Sequence, residues 1–366
     1  MRIALVILLG IHGLIHLFGF LKAYGLAEFE ALSQPISKPV GLVWFSVFLL
    51  FVLSIVLYLN SSEYWLMSGI IAVVMSQILI VMFWSDAKFG TIANILIIVP
   101  LVVGFANYRF NQRIAAECQI LLQQATDVTE HPISKKDISS LPSCVQKWLE
   151  RSGTLGKPMA KSVYLEQDLQ LKLKPEQNDW LKGTAEQYFT TNPPAFHWSI
   201  STSMNPFLPI VGRDKFENGN GAMLIKLLAL IPVANAKDNA NIDQATLQRY
   251  LAEIVWFPSA AISSYISWEE IENNSARATM TYNGTTGSGL FHFNEEGDFA
   301  MFECLRYKDA SDKNPSKWTV KAVKIEELSG IRIPVECEAT WDMNGEDWKW
   351  LKLKIKNLVY DKPTGV

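Results

Sequence analysis

Four apolar stretches within the first 107 residues constrain this chain more than any other feature. Crossing a bilayer takes about 20 residues of helix, and each stretch approaches that length. Ile3–Leu21 ends at Lys22, and Val40–Leu59 follows Pro39 and closes at Asn60. Tyr64–Trp84 is bracketed by interfacial aromatics, and Gly90–Asn107 carries Asn94 and a kink signal at Pro100. Arg2 gives the first stretch a positive start, but no small-x-small cleavage site follows it, so a retained span is expected.

Composition has to be read on either side of these spans. Residues 1–120 hold eleven charged side chains, whereas the remaining 246 hold 58, an ordinary density for a soluble domain. The overall charge of −3 divides into +1 and −4. Neither part is basic enough to hold nucleic acid, so that partner is excluded. The expected layout is a four-helix membrane bundle over 1–120, a linker over 121–137 and a soluble β domain over 138–366. Positive charge gives no orientation, because Arg2, Arg109 and Arg113 balance Lys22, Lys38 and Lys88.

Polar residues within the spans stand out. His12 and His16 lie one helical turn apart, with Gly19 on the same face. They suit helix–helix hydrogen bonding, with Gln77 and Asn94 as partners. The alternative is a metal, haem or proton site. Against it, these are the only histidines of the first 120 residues, and no cysteine precedes Cys118.

Beyond the spans, Arg109–Thr126 continues as an amphipathic helix, and His131-Pro132 marks a linker. Ser140–Glu150 reads as a short helix with Pro142 in its first turn. After residue 160 the period becomes two. Eleven strands are expected, five before residue 231 and six after residue 275, joined mostly by Asn-Gly, Glu-Gly and Ser-Gly turns. Between the two groups, Asp243–Trp256 has a helical apolar stripe, with Asp243 as candidate N-cap and Phe257-Pro258 as the stop. The fold class is therefore an α-helical four-span bundle plus a mainly antiparallel curved meander or half-barrel, plugged by one helix.

Arg249-Tyr-Leu-Ala-Glu-Ile-Val-Trp-Phe-Pro-Ser259, Trp268-Glu269, Ser275-Ala-Arg-Ala-Thr279, Phe291-His-Phe-Asn294 and Gly330-Ile-Arg-Ile-Pro334 carry a resemblance. They resemble a bacterial family of uncharacterised proteins in which a soluble domain follows membrane spans. The element order is also similar to the lipoprotein-carrier (LolA/LolB-like) fold, a half-open barrel around an apolar cavity. That resemblance implies an inner-membrane protein whose soluble domain lies outside the cytoplasm.

No catalytic elbow, phosphate loop, dinucleotide fingerprint or metal spacing is present, so no cofactor or metal is expected. Cys304 and Cys337 fall on strands flanking a third and should not pair. The polar candidates are Arg213-Asp214, Arg249, Glu253, Arg277 and His292. Arg249 and Glu253, at i and i+4, suit a local ion pair. In a sharper reading Arg213 and Glu253 face a cavity mouth, over walls that include Trp256 and Phe257. Trp341, Trp348 and Trp350 are expected to pack across strands.

Three functions are compatible with this pattern. The first is a β domain that binds a lipid, acyl chain or lipoprotein beside membrane lipids. The second is a structural or signalling protein whose β domain binds a protein partner. The third is a membrane-associated hydrolase or transferase, which would require Glu253 and His292 to converge.

Overall fold

The computed structural model describes residues 2–126, 131–205, 207–343 and 345–361, and the chain divides after Gln112 into two compact units. Of the expected 121–137 linker, residues 127–130 lie outside the described residues.

The first unit is built on α1 (Arg2–Ala23), α2 (Lys38–Leu59), α3 (Tyr64–Met82), the single turn α4 (Trp84–Ala87) and the start of α5 (Gly90–Gln124). Four of these helices are long and apolar enough to cross a membrane. Their inner faces bury Leu9, Val47, Phe51, Ala72 and Ile97, while Ile7, Ile11, Leu14 and Ile15 remain exposed on α1. A water-facing bundle would bury the apolar side chains that this one presents outward. Gly19 sets the approach of α1 to α2, because a Cβ there would stand 2.2 Å from the Trp44 ring.

The second unit opens with the last turns of α5, then α6 (Lys135–Ile138) and α7 (Ser143–Arg151). Six strands follow: β1 (Ser162–Leu171), β2 (Leu181–Thr191), β3 (Pro194–Ser203), β4 (Pro209–Glu217), β5 (Asn220–Leu227) and β6 (Ile231–Ala236). After α8 (Ala240–Glu253) and two 3-10 turns come β7 (Ile266–Glu272), β8 (Ser275–Tyr282), β9 (Thr285–Phe293) and β10 (Phe299–Arg306). The last three are β11 (Ser316–Leu328), β12 (Ile331–Met343) and β13 (Glu346–Tyr360).

All thirteen form one antiparallel sheet in the order β6-β5-β4-β3-β2-β1-β13-β12-β11-β10-β9-β8-β7. It is two consecutive meanders stitched through the first and last strands, with Val163 opposite Tyr360 and Leu165 opposite Leu358. β6 and β7 are therefore the free edges. The chain passes from one edge to the other as α8, which packs on β5 and β4 at one end of the sheet and on β8 to β10 at the other. A 14-residue helix is about 21 Å long, so the sheet must curl around it to touch it from both ends. The result is a half-barrel with α8 on its concave face.

Where the two meanders curl together, hairpin tips meet. The Thr285 hydroxyl donates to Gly219 O at 2.8 Å, and a Cβ on Gly219 would fall 2.9 Å from Tyr282 O. Gly219 also has φ +82°, so both space and backbone call for glycine.

The concave core is aromatic. Phe189, Phe196, Phe216, Tyr250, Phe257, Phe291 and Phe302 have no exposed surface. Burying each stabilises the fold by about 2–3 kcal/mol before entropy is counted. The α8 cap differs from the expected one. Asn239, not Asp243, accepts from the backbone N–H groups of Asn241 and Ile242, at 3.0 and 3.3 Å. Asp243 instead accepts from the Gly221 N–H at 2.7 Å, tying the helix to β5. β10 and β12 flank β11, and all four cysteines are free.

Candidate functional site

The concave face carries charge as well as rings. From α8, Arg249 reaches two carboxylates: its Nε donates to Glu253 at 2.9 Å and its Nη1 to Asp214 of β4 at 2.7 Å. Its guanidinium lies over Phe196 and Trp198, 5.0 and 4.7 Å from the ring centres. Gln187 donates to the other Glu253 oxygen at 2.7 Å, Gln167 donates to Gln187, and the Trp198 indole donates to Gln167 at 3.0 Å. Burial raises the Glu253 carboxyl above its ordinary range, with Arg249 and Gln187 opposing that rise. The expected i, i+4 pair is therefore one link in a network spanning β1 to β4 and α8.

A second arginine sits nearby under different conditions. Arg306, at the end of β10, donates from Nε to Ala245 O at 2.8 Å. Its guanidinium stacks on Trp318 at 4.6 Å and Trp341 at 5.6 Å. Among the described residues it has no carboxylate within 4 Å. Burial lowers its pKa; the fields of Asp214 and Glu253 oppose that fall, and that of Arg249 adds to it.

The rings beneath Arg306 form a row. Cys304, Trp318, Trp341 and Trp348 are register partners across β10 to β13. The indole N–H groups of Trp318, Trp348 and Trp350 are buried with no hydrogen-bond partner, as is Gln248 Oε1. Beside this row, Trp198, Ile200, Trp350, Leu351 and Leu353 stay half-buried around Leu169, Leu171 and Ala185, making a small apolar cluster of their own.

The sequence candidates do not all converge here. Arg213 alternates with Asp214 and so points from the opposite face, where its Nη1 meets Glu117 of α5 at 2.9 Å. His197 meets the same carboxylate at 3.0 Å. The reading that placed Arg213 beside Glu253 at a cavity mouth is thus corrected: a one-residue step in β4 separates them by the thickness of the sheet. Trp256 and Phe257 are core anchors, and the Trp256 indole donates to Pro334 O at 3.0 Å. Arg277 is solvent-facing and pairs with Glu269 at 3.2 Å. His292 alternates with buried Phe291 and Phe293 and meets Glu303 at 3.3 Å, so it lies across the sheet from Glu253. The convergence that a Glu253–His292 hydrolase requires is not there.

A wide groove of about 1090 Å³ crosses β1 to β3 and β11 to β13. It is lined by the outward side chains of Asp168, Lys182, Glu336, Glu338, Lys352 and Lys354, and the intervening Leu169, Cys337 and Leu353 of the same strands also border it. Four of its charges pair with one another, Lys354 with Glu336 at 3.1 Å and Lys352 with Glu338 at 3.8 Å, and Asp168 pairs with Lys356 at 3.4 Å. A self-paired, solvated surface of this kind offers little to an apolar ligand.

In the helical unit, His12 Nε2 lies 2.9 Å from Asn94 Oδ1 and 3.1 Å from Ser76 Oγ. The Asn94 amide donates to Gln77 at 3.0 Å, and Gln77 donates to Thr91 at 3.1 Å. His16 Nδ1 lies 2.9 Å from the His12 carbonyl, which only accepts, so that nitrogen carries the proton. These four residues lie together, with His12, Asn94 and Gln77 in one hydrogen-bonded chain and the His16 ring edge-to-face with His12 at 4.8 Å.

Sequence reasoning missed Arg306, Trp318 and Gln187. A signal for the first two existed in period-two alternation: Cys304 and Arg306 share a face of one strand, and Trp318 opens the next.

Fold and site together define a class: an apolar helical unit and, in the same chain, an open antiparallel half-barrel plugged by a helix that holds a buried ion network. The chain belongs to the family of unknown function DUF6920, which it matches over residues 139–360. No curated protein matches it significantly. Among solved structures, a LolA superfamily protein from Nitrosomonas europaea aligns with 58% of this chain and 92% of its own, at 10% identity and a TM-score of 0.30.

Proposed function

We propose that the β domain holds a lipid or acyl chain beside the membrane in which the four apolar helices are embedded. One observation carries this reading: the concave face keeps Trp198, Ile200, Trp350, Leu351 and Leu353 only half-buried at the margin of the core. Apolar side chains left partly wet beside a complete core are what an amphiphile's chain would dry. Each methylene it buries contributes about 0.8 kcal/mol. The domain would lie outside the cytoplasm, which a C-terminal reporter fusion tests directly.

The binding experiment uses the full chain in non-ionic detergent. Native mass spectrometry should find retained lipid, and tryptophan fluorescence should respond to an added oleyl chain. Replacing Leu353→Asp should weaken that response at least tenfold. If neither lipid retention nor a fluorescence response is seen, the reading is lost.

A partner protein is the second reading. It is favoured by the free edge β6, where Ile231 and Val233 are 54% and 58% exposed. Crosslinking from Val233 that captures one protein in defined stoichiometry would support it, and capture of lipid alone would count against it.

A further inference from the structure

Arg249 and Arg306 share one concave face but are treated differently. The charge on Arg249 is answered twice, by Asp214 and by Glu253. Arg306 is answered by a backbone carbonyl through Nε and by two aromatic faces, and its Nη groups have no carboxylate among the described residues. An arginine held against rings without a counter-ion loses hydration that no protein group returns.

The neighbouring tryptophans repeat the imbalance. Trp318 is 4% exposed, and its indole N–H has no acceptor. The N–H groups of Trp348 and Trp350 are buried and equally unpartnered. A buried donor left unsatisfied costs about 1–3 kcal/mol, so three of them in one region of the sheet, one directly under a guanidinium that no carboxylate pairs, are costly if nothing binds there. Trp318 and Trp348 each stand in register with Trp341 between them, and Trp350 follows two residues after Trp348 on the same strand, so the donors lie near one another in the sheet. Indole nitrogens only donate, as does guanidinium. The complementary group is therefore an acceptor that carries negative charge. Trp350 also belongs to the half-buried apolar shelf, so the donors adjoin the surface assigned to a chain.

We propose that this patch binds the anionic head of an amphiphile, with Arg306 as counter-charge and the indoles of Trp318, Trp348 and Trp350 as further donors. The inference rests on the amphiphile reading above and specifies the head group. A carboxylate and a phosphate share the required chemistry.

The test titrates the full chain in non-ionic detergent with four probes: oleate, oleyl alcohol, dioleoylphosphatidylglycerol and dioleoylglycerol. Binding of oleate or of the phospholipid should exceed that of its uncharged counterpart about tenfold, and whichever anion binds identifies the head. Arg306→Gln should remove that advantage and leave the neutral probes unchanged within about twofold, while Arg306→Lys restores part of it. If Arg306→Gln unfolds at room temperature, Trp348→Phe keeps an aromatic ring and loses the N–H with the five-membered half of the indole; it should weaken the anions about threefold to tenfold and the neutral probes by less than about twofold.

Equal binding of charged and neutral probes overturns the head-group assignment and leaves the amphiphile reading standing. Wild-type anion affinity in Arg306→Gln, or in Trp348→Phe if that variant is the one used, does the same. If none of the four probes binds, both fall.

Discussion

The residue that ties the strands to the loops is Asp298. It accepts from Arg332 through both oxygens, at 2.6 and 2.8 Å, and Arg151 approaches to 3.6 Å. Hydrogen bonding from Arg332 holds its carboxyl below the ordinary 3.8, against the opposing pull of burial. A depressed folded-state pKa stabilises above the unfolded value and loses that contribution as pH falls through the folded one. The loss should therefore begin below about pH 3.8. Asp298→Asn should cost about 1–2 kcal/mol at neutral pH, less than for a fully buried pair because Arg332 is one-third exposed. Urea unfolding at pH 7 and pH 3 checks this: the wild-type advantage should shrink at the lower pH, and an unchanged gap would assign it to packing instead. Gly289 gives a purely steric case. A Cβ there would stand 2.0 Å from the Phe302 ring, which is fully buried and cannot swing away. Gly289→Ala should cost about 1–3 kcal/mol by overpacking, read as a lowered midpoint with an unchanged slope.

At the scale of elements, legibility followed burial. The four apolar helices were visible because a bilayer-length run has few other uses, and all eleven expected strands lie within a few residues of their expected bounds. The two strands that sequence missed, β6 and β7, are the two edges. β6 is six residues containing Pro232, and β7 carries Glu269, Glu270 and Glu272. An edge strand has one partner and only part of one face to bury, so alternation is not enforced on it; proline and charge there discourage further pairing. The site was half legible. Arg249 and Glu253 follow from helical spacing alone, whereas Arg213 and Asp214 are neighbours in sequence that the sheet separates, and only strand register assigns them to faces. Alternation could assign Arg306 to the face of Cys304, but not its lack of a carboxylate partner, which depends on residues far away in sequence. In the helical unit, Asn94 connects His12, Ser76 and Gln77 across three helices. Asn94→Leu should destabilise the bundle by about 1 kcal/mol in detergent, measured by thermal unfolding, because His12 and Gln77 then lose a partner in apolar surroundings.

As a whole molecule, the chain is two units with separate cores, and nine of its twelve tryptophans lie in the second. Unfolding in detergent should therefore resolve into two transitions: loss of tryptophan fluorescence as the half-barrel opens, with helical circular dichroism persisting to higher denaturant. Coincident curves would mean that the units unfold as one. The stitching of the sheet has a consequence for how the protein is made. β1 emerges from the ribosome some two hundred residues ahead of β13, its partner, and spends that interval with β2 on one side and nothing on the other. Hairpins of the first meander can form while synthesis continues, but the seam between the halves cannot close until β13 has been translated. A stalled or truncated product lacking β13 exposes that seam as a ready template for another strand, which makes the arrival of β13 the step at which quality control should act.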